Sequence, residues 1–90
     1  METKILWTRK AETNLLDIRN HSLEHFEYDI TKDIVKSVDI LLKYPEIGIQ
    51  LQFDETVRLL RHKKWNIYYK IRTDKIVIYA ILGQMQNEGT

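Results

Sequence analysis

The sequence predicts an α+β domain in which a helical hairpin packs on one face of a small antiparallel sheet, in the order β-α-α-β-β-β. Two apolar stripes with helical spacing occupy the first half of the chain, and three strand-like runs occupy the second half. A single proline lies between them. The length of 90 residues fits one domain, residues 1–90, with a limited core that dimerisation or a bound partner would stabilise.

The first half of the chain begins with a predicted strand and a helix. The run KILWT, residues 4–8, is a short strand, and Thr8 or a neighbour is expected to cap the helix that follows. This helix extends from Arg9 to about Tyr28, because apolar or small residues recur every three or four positions. The recurring positions are Ala11, Leu15, Ile18, Ser22 and Phe26.

A second helix is predicted to begin at Asp29 or Thr31. It ends before Pro45, because a proline disfavours helical geometry at the preceding residue. Residues 44–55 are predicted to form a loop. The apolar stripe of this helix consists of Ile30, Ile34, Val38 and Leu41, widened by Val35 and Leu42.

Three strands are predicted in the second half, Thr56–Arg61, Trp65–Arg72 and Ile76–Leu82. The last two form an antiparallel hairpin, because only residues 73–75 separate them. The final strand is apolar on both faces, which favours a central position in the sheet. The tail, residues 83–90, is polar and is expected to fray.

The middle strand alternates between apolar and polar side chains, so we expect the helices to cover one of its faces and to leave the other open. The covered face consists of Trp65, Ile67, Tyr69 and Ile71. The open face presents Asn66, Tyr68, Lys70 and Arg72. Both tryptophans, Trp7 and Trp65, are expected to pack in the core because they lie on strands.

Charge is segregated along the chain, although the net charge is only +1. Residues 57–75 contain seven Lys or Arg and one acid, a local charge of +6, so the remainder carries −5. Such segregation produces a local positive field on a nearly neutral protein. The open face and the turn at its rim therefore form a candidate surface for phosphate groups or an acidic peptide.

Composition excludes several classes of protein. The chain has no cysteine and hence no disulfide or zinc ribbon, which fits a reducing cytoplasm. No apolar run approaches the roughly 20 residues of a membrane span, and the N-terminal residues do not form a signal peptide. The sequence contains no glycine-rich phosphate loop and no Ser-His-Asp arrangement. We expect a cytoplasmic domain that needs no cofactor.

One short pattern in the first helix is typical of a metal site. His21, Glu24 and His25 match H-x-x-E-H, in which two histidines one helical turn apart bind zinc beside a catalytic Glu. A catalytic zinc ion needs a third protein ligand, which the fold would have to supply from Glu27, Asp29 or His62. Because three fixed positions often coincide by chance, we expect solvated histidines and no metal.

Three stretches carry a wider pattern, and together they span nearly the whole chain. They are ILWTRKAETNLLDI at residues 5–18, ILLKYPEIG at 40–48 and VRLLRHKKWNIYYKIRTDKIVIYAIL at 57–82. In order and spacing they resemble the RelE/ParE superfamily of bacterial toxins from type II toxin–antitoxin (plasmid-stabilisation) modules. The resemblance implies the β-α-α-β-β-β fold and an antitoxin whose C-terminal segment wraps across the toxin. It also implies either messenger RNA cleavage on the ribosome or poisoning of DNA gyrase.

The chain departs from the RelE-like pattern at positions where close relatives of RelE carry basic residues. At these positions an ungapped alignment places Val57, Leu59, Asn66 and, after the last strand, Met85 or Gln86. Uncharged side chains of this kind cannot supply the acid, base and cations that phosphoryl transfer from RNA requires. The resemblance therefore favours a ParE-like toxin that acts by binding, with gyrase as the preferred target.

Two alternatives remain open at this point. One is a ribosome-dependent mRNA endonuclease, and the other is a non-toxic module that only binds the antitoxin. A homodimer also remains open. In the ParE-like interpretation, the contacts to antitoxin or target come from the basic and aromatic side chains of the open face and its turn. These are Arg58, Arg61, His62, Lys63, Lys64, Tyr68, Lys70 and Arg72.

Overall fold

The computed structural model describes residues 3–26 and 29–83, apart from the side chains of His25 and Phe26. The α+β class and the predicted order of elements are confirmed, with one additional strand. The elements are β1 Lys4–Trp7, α1 Arg9–Phe26, α2 Thr31–Asp39, a 3₁₀ helix Ile40–Leu42, β2 Ile49–Gln50, β3 Arg58–His62, β4 Trp65–Ile71 and β5 Lys75–Gly83.

The strands form one sheet in the order β1-β5-β4-β3-β2. The apolar strand β5 lies between β1 and β4, the central position that its two apolar faces predict. The sheet differs from the expected one in two respects. Strand β1 runs parallel to β5, with Lys4 opposite Lys75 and Trp7 opposite Ile78, whereas the other pairs are antiparallel. In addition, β2 lies within the segment that the sequence predicts as a loop.

Both helices pack on the same face of the sheet, and the core lies between the two layers. Trp7 and Trp65 are half-buried against this core, as expected from their strand positions. Val35 and Leu42 are 36% and 47% exposed, so the apolar stripe of α2 is narrower than predicted. The core consists of Ala11, Ile18, Ile34, Val38, Leu41, Ile67, Tyr69, Ile76, Ile78 and Ile81.

Short polar side chains begin both helices. The Thr8 hydroxyl accepts the backbone N–H of Ala11 at 3.1 Å, which confirms Thr8 as the cap of α1. Asp29 precedes α2 and accepts both the backbone N–H and the hydroxyl of Thr31. These bonds, the hydroxyl bond above all, lower the pKa of Asp29 below its ordinary value. Since the Asp29 carboxylate also lies 3.5 Å from Arg19, it connects the two helices.

Side chains from the start of α1 replace the missing strand along the upper half of β5. Strand β1 ends opposite Ile78, so the later backbone groups of β5 have no strand partner on that side. The Thr8 hydroxyl donates to the Tyr79 carbonyl oxygen at 3.1 Å. Asn14 Oδ1 accepts the N–H of Ile81 at 3.1 Å. These bonds continue the pairing of β5 past the end of β1.

Tyr69 fastens the segment that precedes β2 to the sheet. Its side chain is fully buried on β4, and its hydroxyl donates to the Pro45 carbonyl oxygen at 2.7 Å. The same hydroxyl accepts the N–H of Gly48 at 2.9 Å. A Cβ atom on Gly48 would lie 2.5 Å from this oxygen, so no larger residue fits without movement. Burial raises the pKa of Tyr69 above its ordinary value.

Candidate interaction surface

The face of the sheet opposite the helices has no helix packed on it within the described residues. We call it the open face. Strand pairing assigns side chains to it, because directly paired residues point to the same side of a sheet. Arg61 pairs with Asn66, Leu59 with Tyr68, and Val77 with Lys70. The open face comprises Leu6, Leu59, Arg61, Asn66, Tyr68, Lys70, Val77, Ala80 and Leu82.

At one end of the open face, Arg61 covers Asn66. The Nε atom of Arg61 donates to Asn66 Oδ1 at 3.2 Å, and Asn66 is only 3% exposed. Asn66 therefore lies on the predicted side of the sheet, but it does not meet solvent as expected. Arg61 itself is exposed, and its guanidinium retains further donors with the geometry that suits a carboxylate or a phosphate.

Further along β4, Lys70 lies over an aromatic ring. A register shift after Tyr68 leaves Tyr79 as an extra residue in β5. Lys70 Nζ lies 4.9 Å from the centroid of the Tyr79 ring, within the range of a cation–π interaction. The ring restrains the lysine, so the ammonium group is held near the sheet surface. The contact surface predicted from the sequence did not include Tyr79, whose ring holds Lys70 in place.

The turn between β3 and β4 contributes two more cations. Lys63 and Lys64 are both exposed, and they are the two residues that connect the strands. Lys63 has a φ of 54°, in the left-handed region that side chains disfavour. Lys64 Nζ lies 5.4 Å from the centroid of the Trp65 ring. The turn is thus a defined structure that presents two ammonium groups at the rim of the sheet.

Arg58 and His62 lie on the helix-facing side of β3 and form hydrogen bonds within the fold. Arg58 Nη1 donates to the carbonyl oxygens of Gly48 at 2.8 Å and Glu46 at 3.2 Å. His62 Nδ1 shares a 2.7 Å hydrogen bond with the Ser37 hydroxyl of α2. The buried Nε2 atom of His62 has no hydrogen-bond partner among the described residues. The structure therefore separates these two side chains from the open face.

The eight predicted contact residues thus do not form a single cluster on the open face. Arg61 and Lys70 share the open face, about 13 Å apart along the strands, because Asn66, the partner of Arg61, lies four positions before Lys70. Tyr68 lies between them on the same side, and Arg72 is exposed just after β4. With Lys63 and Lys64 of the turn these cations form a band along β4, in which Lys64 leans towards the helix-facing side because its Nζ lies over the Trp65 ring.

Two lysines that the predicted site omits extend the same surface. Lys4 and Lys75 are paired across β1 and β5, and both are exposed. They lie on the open side, because they alternate with Ile5 and Ile76, which pack towards the helices. Sequence reasoning missed them since it did not pair the first strand with the last. The available signal was the alternation within KIL, residues 4–6, because neighbouring residues of a strand point to opposite faces of the sheet and Lys4 therefore lies opposite Ile5.

The zinc pattern in α1 is not fully covered by the structure. Glu27 and the side chain of His25 lie outside the described residues, as do Met85 and Gln86. Within residues 3–26 and 29–83, no group of three or more metal-ligating side chains could hold a metal ion. No helix in the described part of the chain is both long and apolar enough to cross a membrane.

The comparison with protein families covers almost the entire chain. The model of the family described as "ParE toxin of type II toxin-antitoxin system, parDE" matches residues 5–88. This chain belongs to the ParE toxin family. It is therefore a toxin of a type II toxin–antitoxin system, and the resemblance to the RelE/ParE superfamily is confirmed.

Solved structures of related systems share the fold of this ParE-family toxin. A chain of the chromosomal ParDE toxin–antitoxin system of P. aeruginosa superposes with a TM-score of 0.78 at 22% identity, covering 91% of this chain and 96% of that one. A chain of the RelBE2 toxin–antitoxin complex of Mycobacterium tuberculosis superposes with a TM-score of 0.73 at 16% identity, covering 92% of this chain and 99% of that one. A chain of the RelB–RelE complex of Methanococcus jannaschii superposes with a TM-score of 0.67 at 12% identity, covering 93% of this chain and 95% of that one. No curated protein matches the sequence significantly.

Proposed function

We propose that this ParE-family toxin acts in the cytoplasm by binding DNA gyrase, and that a cognate antitoxin neutralises it. The open face and its turn form the contact surface. The observation that carries the proposal is the band of cations on a sheet face that no described helix covers. The solved ParDE and RelBE relatives are toxin–antitoxin systems, which supports an antitoxin partner for this chain.

The chemistry of the open face supports binding in preference to RNA cleavage. Leu59 and Val57 have no group that transfers a proton, and the Asn66 amide is buried under Arg61. His62, the histidine in this region, shares a hydrogen bond with Ser37 on the helix-facing side. An endonuclease needs an acid and a base that reach the substrate. The cations of the open face supply attraction for acidic groups, which is what binding requires.

Charge reversal on the contact surface tests the proposal. Replacing Arg61, Lys63 and Lys64 with Glu changes the net charge by −6 at exposed positions. We expect at least a tenfold loss of antitoxin affinity, because each of the three positions then repels an acidic partner. Growth arrest after induction of the variant should be reduced. Wild-type affinity should fall as salt increases, since exposed charges are screened.

A control variant carries the same charge change on the helices. Lys10, Lys32 and Lys36 are exposed on α1 and α2, and replacing all three with Glu also changes the charge by −6. This variant should retain antitoxin affinity within about threefold and should still arrest growth. If the turn variant arrests growth as strongly as wild type, the contact surface is wrongly assigned.

The phenotype after induction distinguishes the three candidate activities. A gyrase-directed toxin changes DNA supercoiling and induces the SOS response while transcripts stay intact. A ribosome-dependent endonuclease produces cleaved transcripts within minutes and leaves supercoiling unchanged. A non-toxic antitoxin-binding module allows normal growth. Cleaved transcripts with unchanged supercoiling would refute the gyrase proposal.

A further inference from the structure

Large apolar side chains are exposed on and around the sheet edge formed by β2. Four large hydrophobic side chains are strongly exposed there. Tyr44 is 58% exposed, Ile47 51%, Ile49 72% and Phe53 90%, the highest value among the large hydrophobic residues of the described chain. All four belong to the ten-residue segment 44–53, and exposed apolar side chains close together in one segment mark an interaction site more often than scattered single residues do. We call these four residues the edge patch.

The edge patch contains both a protrusion and a depression. Phe53 projects from the loop after β2 with nearly all of its side chain in solvent. Tyr44, Pro45, Glu46 and Ile47 line an open pocket of about 510 Å³. A phenyl ring fits such a volume, but the ring and the pocket belong to the same chain and Phe53 does not fill the pocket. The pocket can therefore accept an apolar ring from another molecule.

Strand β2 also has a free hydrogen-bonding edge. Among the described residues it is the last strand of the sheet, and its partner β3 lies on one side only. Ile49 pairs with Leu59, and Leu51 donates its N–H to the Val57 carbonyl oxygen. Backbone groups alternate in direction along an antiparallel strand, so the N–H and C=O of Gln50 point away from β3. Within the part of the chain that the structure describes, these groups face no other strand.

We infer that two copies of this chain associate through β2 across a twofold axis near Gln50. Antiparallel pairing at this residue lets each Gln50 exchange two backbone hydrogen bonds with its counterpart. Phe53 and Ile47 lie three residues to either side of Gln50, so each Phe53 meets the pocket that contains the partner's Ile47. The contact is self-complementary, as a twofold dimer requires.

The area of the edge patch is sufficient for a weak dimer. From the exposed fractions of its four side chains, the patch offers about 500 Å² of apolar surface per copy. Complete burial of the patch in both copies would remove about 1,000 Å² from solvent, the lower limit of a specific protein–protein interface. We therefore expect weak, reversible association. This inference does not depend on the proposed function.

The charges around the edge patch predict how salt affects the association. Glu46, Asp54 and Glu55 flank the patch and outnumber the Arg58 guanidinium, which lies at the Gly48 and Glu46 carbonyl oxygens. Pairing near Gln50 brings Glu46 close to the partner's Asp54, so like charges oppose dimerisation at low ionic strength. Screening reduces this repulsion. Self-association should therefore strengthen with salt, the opposite of the response expected for the band of cations.

Sedimentation equilibrium of the full chain over a range of protein and salt concentrations tests the inference. Wild type should shift from monomer to dimer as its concentration rises, and more readily at higher salt. Phe53→Asp and Ile47→Lys should each weaken association by roughly tenfold or more. A mixture of the two variants should dimerise again. In the mixed dimer the carboxylate introduced at position 53 of one copy meets the ammonium group introduced at position 47 of the other, and the second Phe53–Ile47 contact remains intact.

Leu16→Asp serves as the matched control, since Leu16 is 52% exposed on α1, far from β2 along the chain. It should leave the dimer constant unchanged. Circular dichroism should show wild-type folding for all variants, because the substituted side chains are exposed. A chain that stays monomeric at high micromolar concentration and high salt overturns the inference. A mixture of the variants that does not dimerise overturns it as well. If Phe53→Asp weakens antitoxin binding instead, the patch belongs to the antitoxin.

Discussion

At Lys63, the turn between β3 and β4 holds a lysine in a backbone conformation that glycine adopts without strain. Its φ of 54° brings Cβ close to the backbone carbonyl, at a cost of roughly 1–2 kcal/mol for a residue with a side chain. Strain of this kind tends to persist where function requires it. The neighbouring Lys64 is not among the positive-φ residues. A cation at position 63 therefore supports a contact role for the turn.

Replacing Lys63 with Gly should raise stability and lower affinity. We expect the free energy of unfolding to rise by about 0.5–1 kcal/mol, because the strain is released at some cost in backbone entropy. Antitoxin binding should weaken, because the ammonium group is lost. Denaturant unfolding and binding titration measure both effects. Lys64→Gly is the control, and it should lower stability since it removes the cation–π contact with Trp65. A destabilised Lys63→Gly variant would refute the role of strain.

Tyr69 controls the loop that leads into β2, and Tyr69→Phe isolates the hydroxyl group. The variant leaves the Gly48 N–H and the Pro45 carbonyl oxygen without their partner. We expect the free energy of unfolding to fall by about 1–3 kcal/mol, the usual cost of an unsatisfied buried polar group. Thermal unfolding measures the loss. The control Tyr79→Phe keeps the ring under Lys70 and should change stability by less than about 0.5 kcal/mol.

The raised pKa of Tyr69 gives the same variant a second readout. Above pH 10 an unfolded tyrosine ionises, whereas folded Tyr69 stays protonated because burial disfavours its anion. Stability from this group is therefore complete below pH 10 and is lost as the pH rises through the folded pKa. Tyr69→Phe should show a smaller alkaline loss of stability than wild type. Equal alkaline slopes in the two proteins would contradict this assignment.

At the scale of elements, local patterns predicted the helices, the β3–β4–β5 meander and the central position of β5. They succeeded because helical stripes and apolar runs reflect which faces are buried. They failed for β2, whose two residues lie between Gly48 and a loop and give little local signal. The parallel pairing of β1 with β5 was also missed, since no local pattern specifies a partner so distant in the sequence.

Sequence patterns predicted only part of the candidate surface, because local alternation does not always decide which face of the sheet a residue occupies. Alternation along β4 correctly placed Tyr68 and Lys70 on the face opposite the helices. Strand β3 has adjacent apolar residues, Leu59 and Leu60, so its alternation has no unique phase. The structure buries Leu60 towards the helices, and Arg58 therefore lies on the helix side with it. Only the pairing with β4 decides this orientation.

Asn14 shows how a helix can stabilise a strand edge, and its replacement tests this role. In Asn14→Ala the Ile81 N–H loses its acceptor next to a side chain that is 2% exposed. We expect a loss of about 1–3 kcal/mol in the free energy of unfolding and faster hydrogen exchange at the Ile81 amide. Asn14→Asp keeps an acceptor oxygen and should lose less. Unchanged exchange at Ile81 in the alanine variant would refute the role.

At the scale of the whole molecule, two surfaces of opposite character lie on one small sheet. The open face carries cations next to Tyr68 and Tyr79, whereas the edge patch is apolar and flanked by carboxylates. Their expected responses to ionic strength have opposite signs, because salt weakens attraction between unlike charges and relieves repulsion between like charges. Salt titration therefore assigns an observed complex to one surface or the other.

The pairing of the first strand with the last has a consequence for how the toxin acquires its shape. Thr8 and Tyr79 are in contact although 71 positions separate them. Closing so long a loop costs chain entropy before any contact compensates for it, so the protein should fold more slowly than an all-helical protein of equal length. A growing polypeptide that has not reached residue 75 lacks β5, the strand that lies between β1 and β4. The sheet therefore closes only after the last strand has been synthesised, a delay that the topology itself imposes.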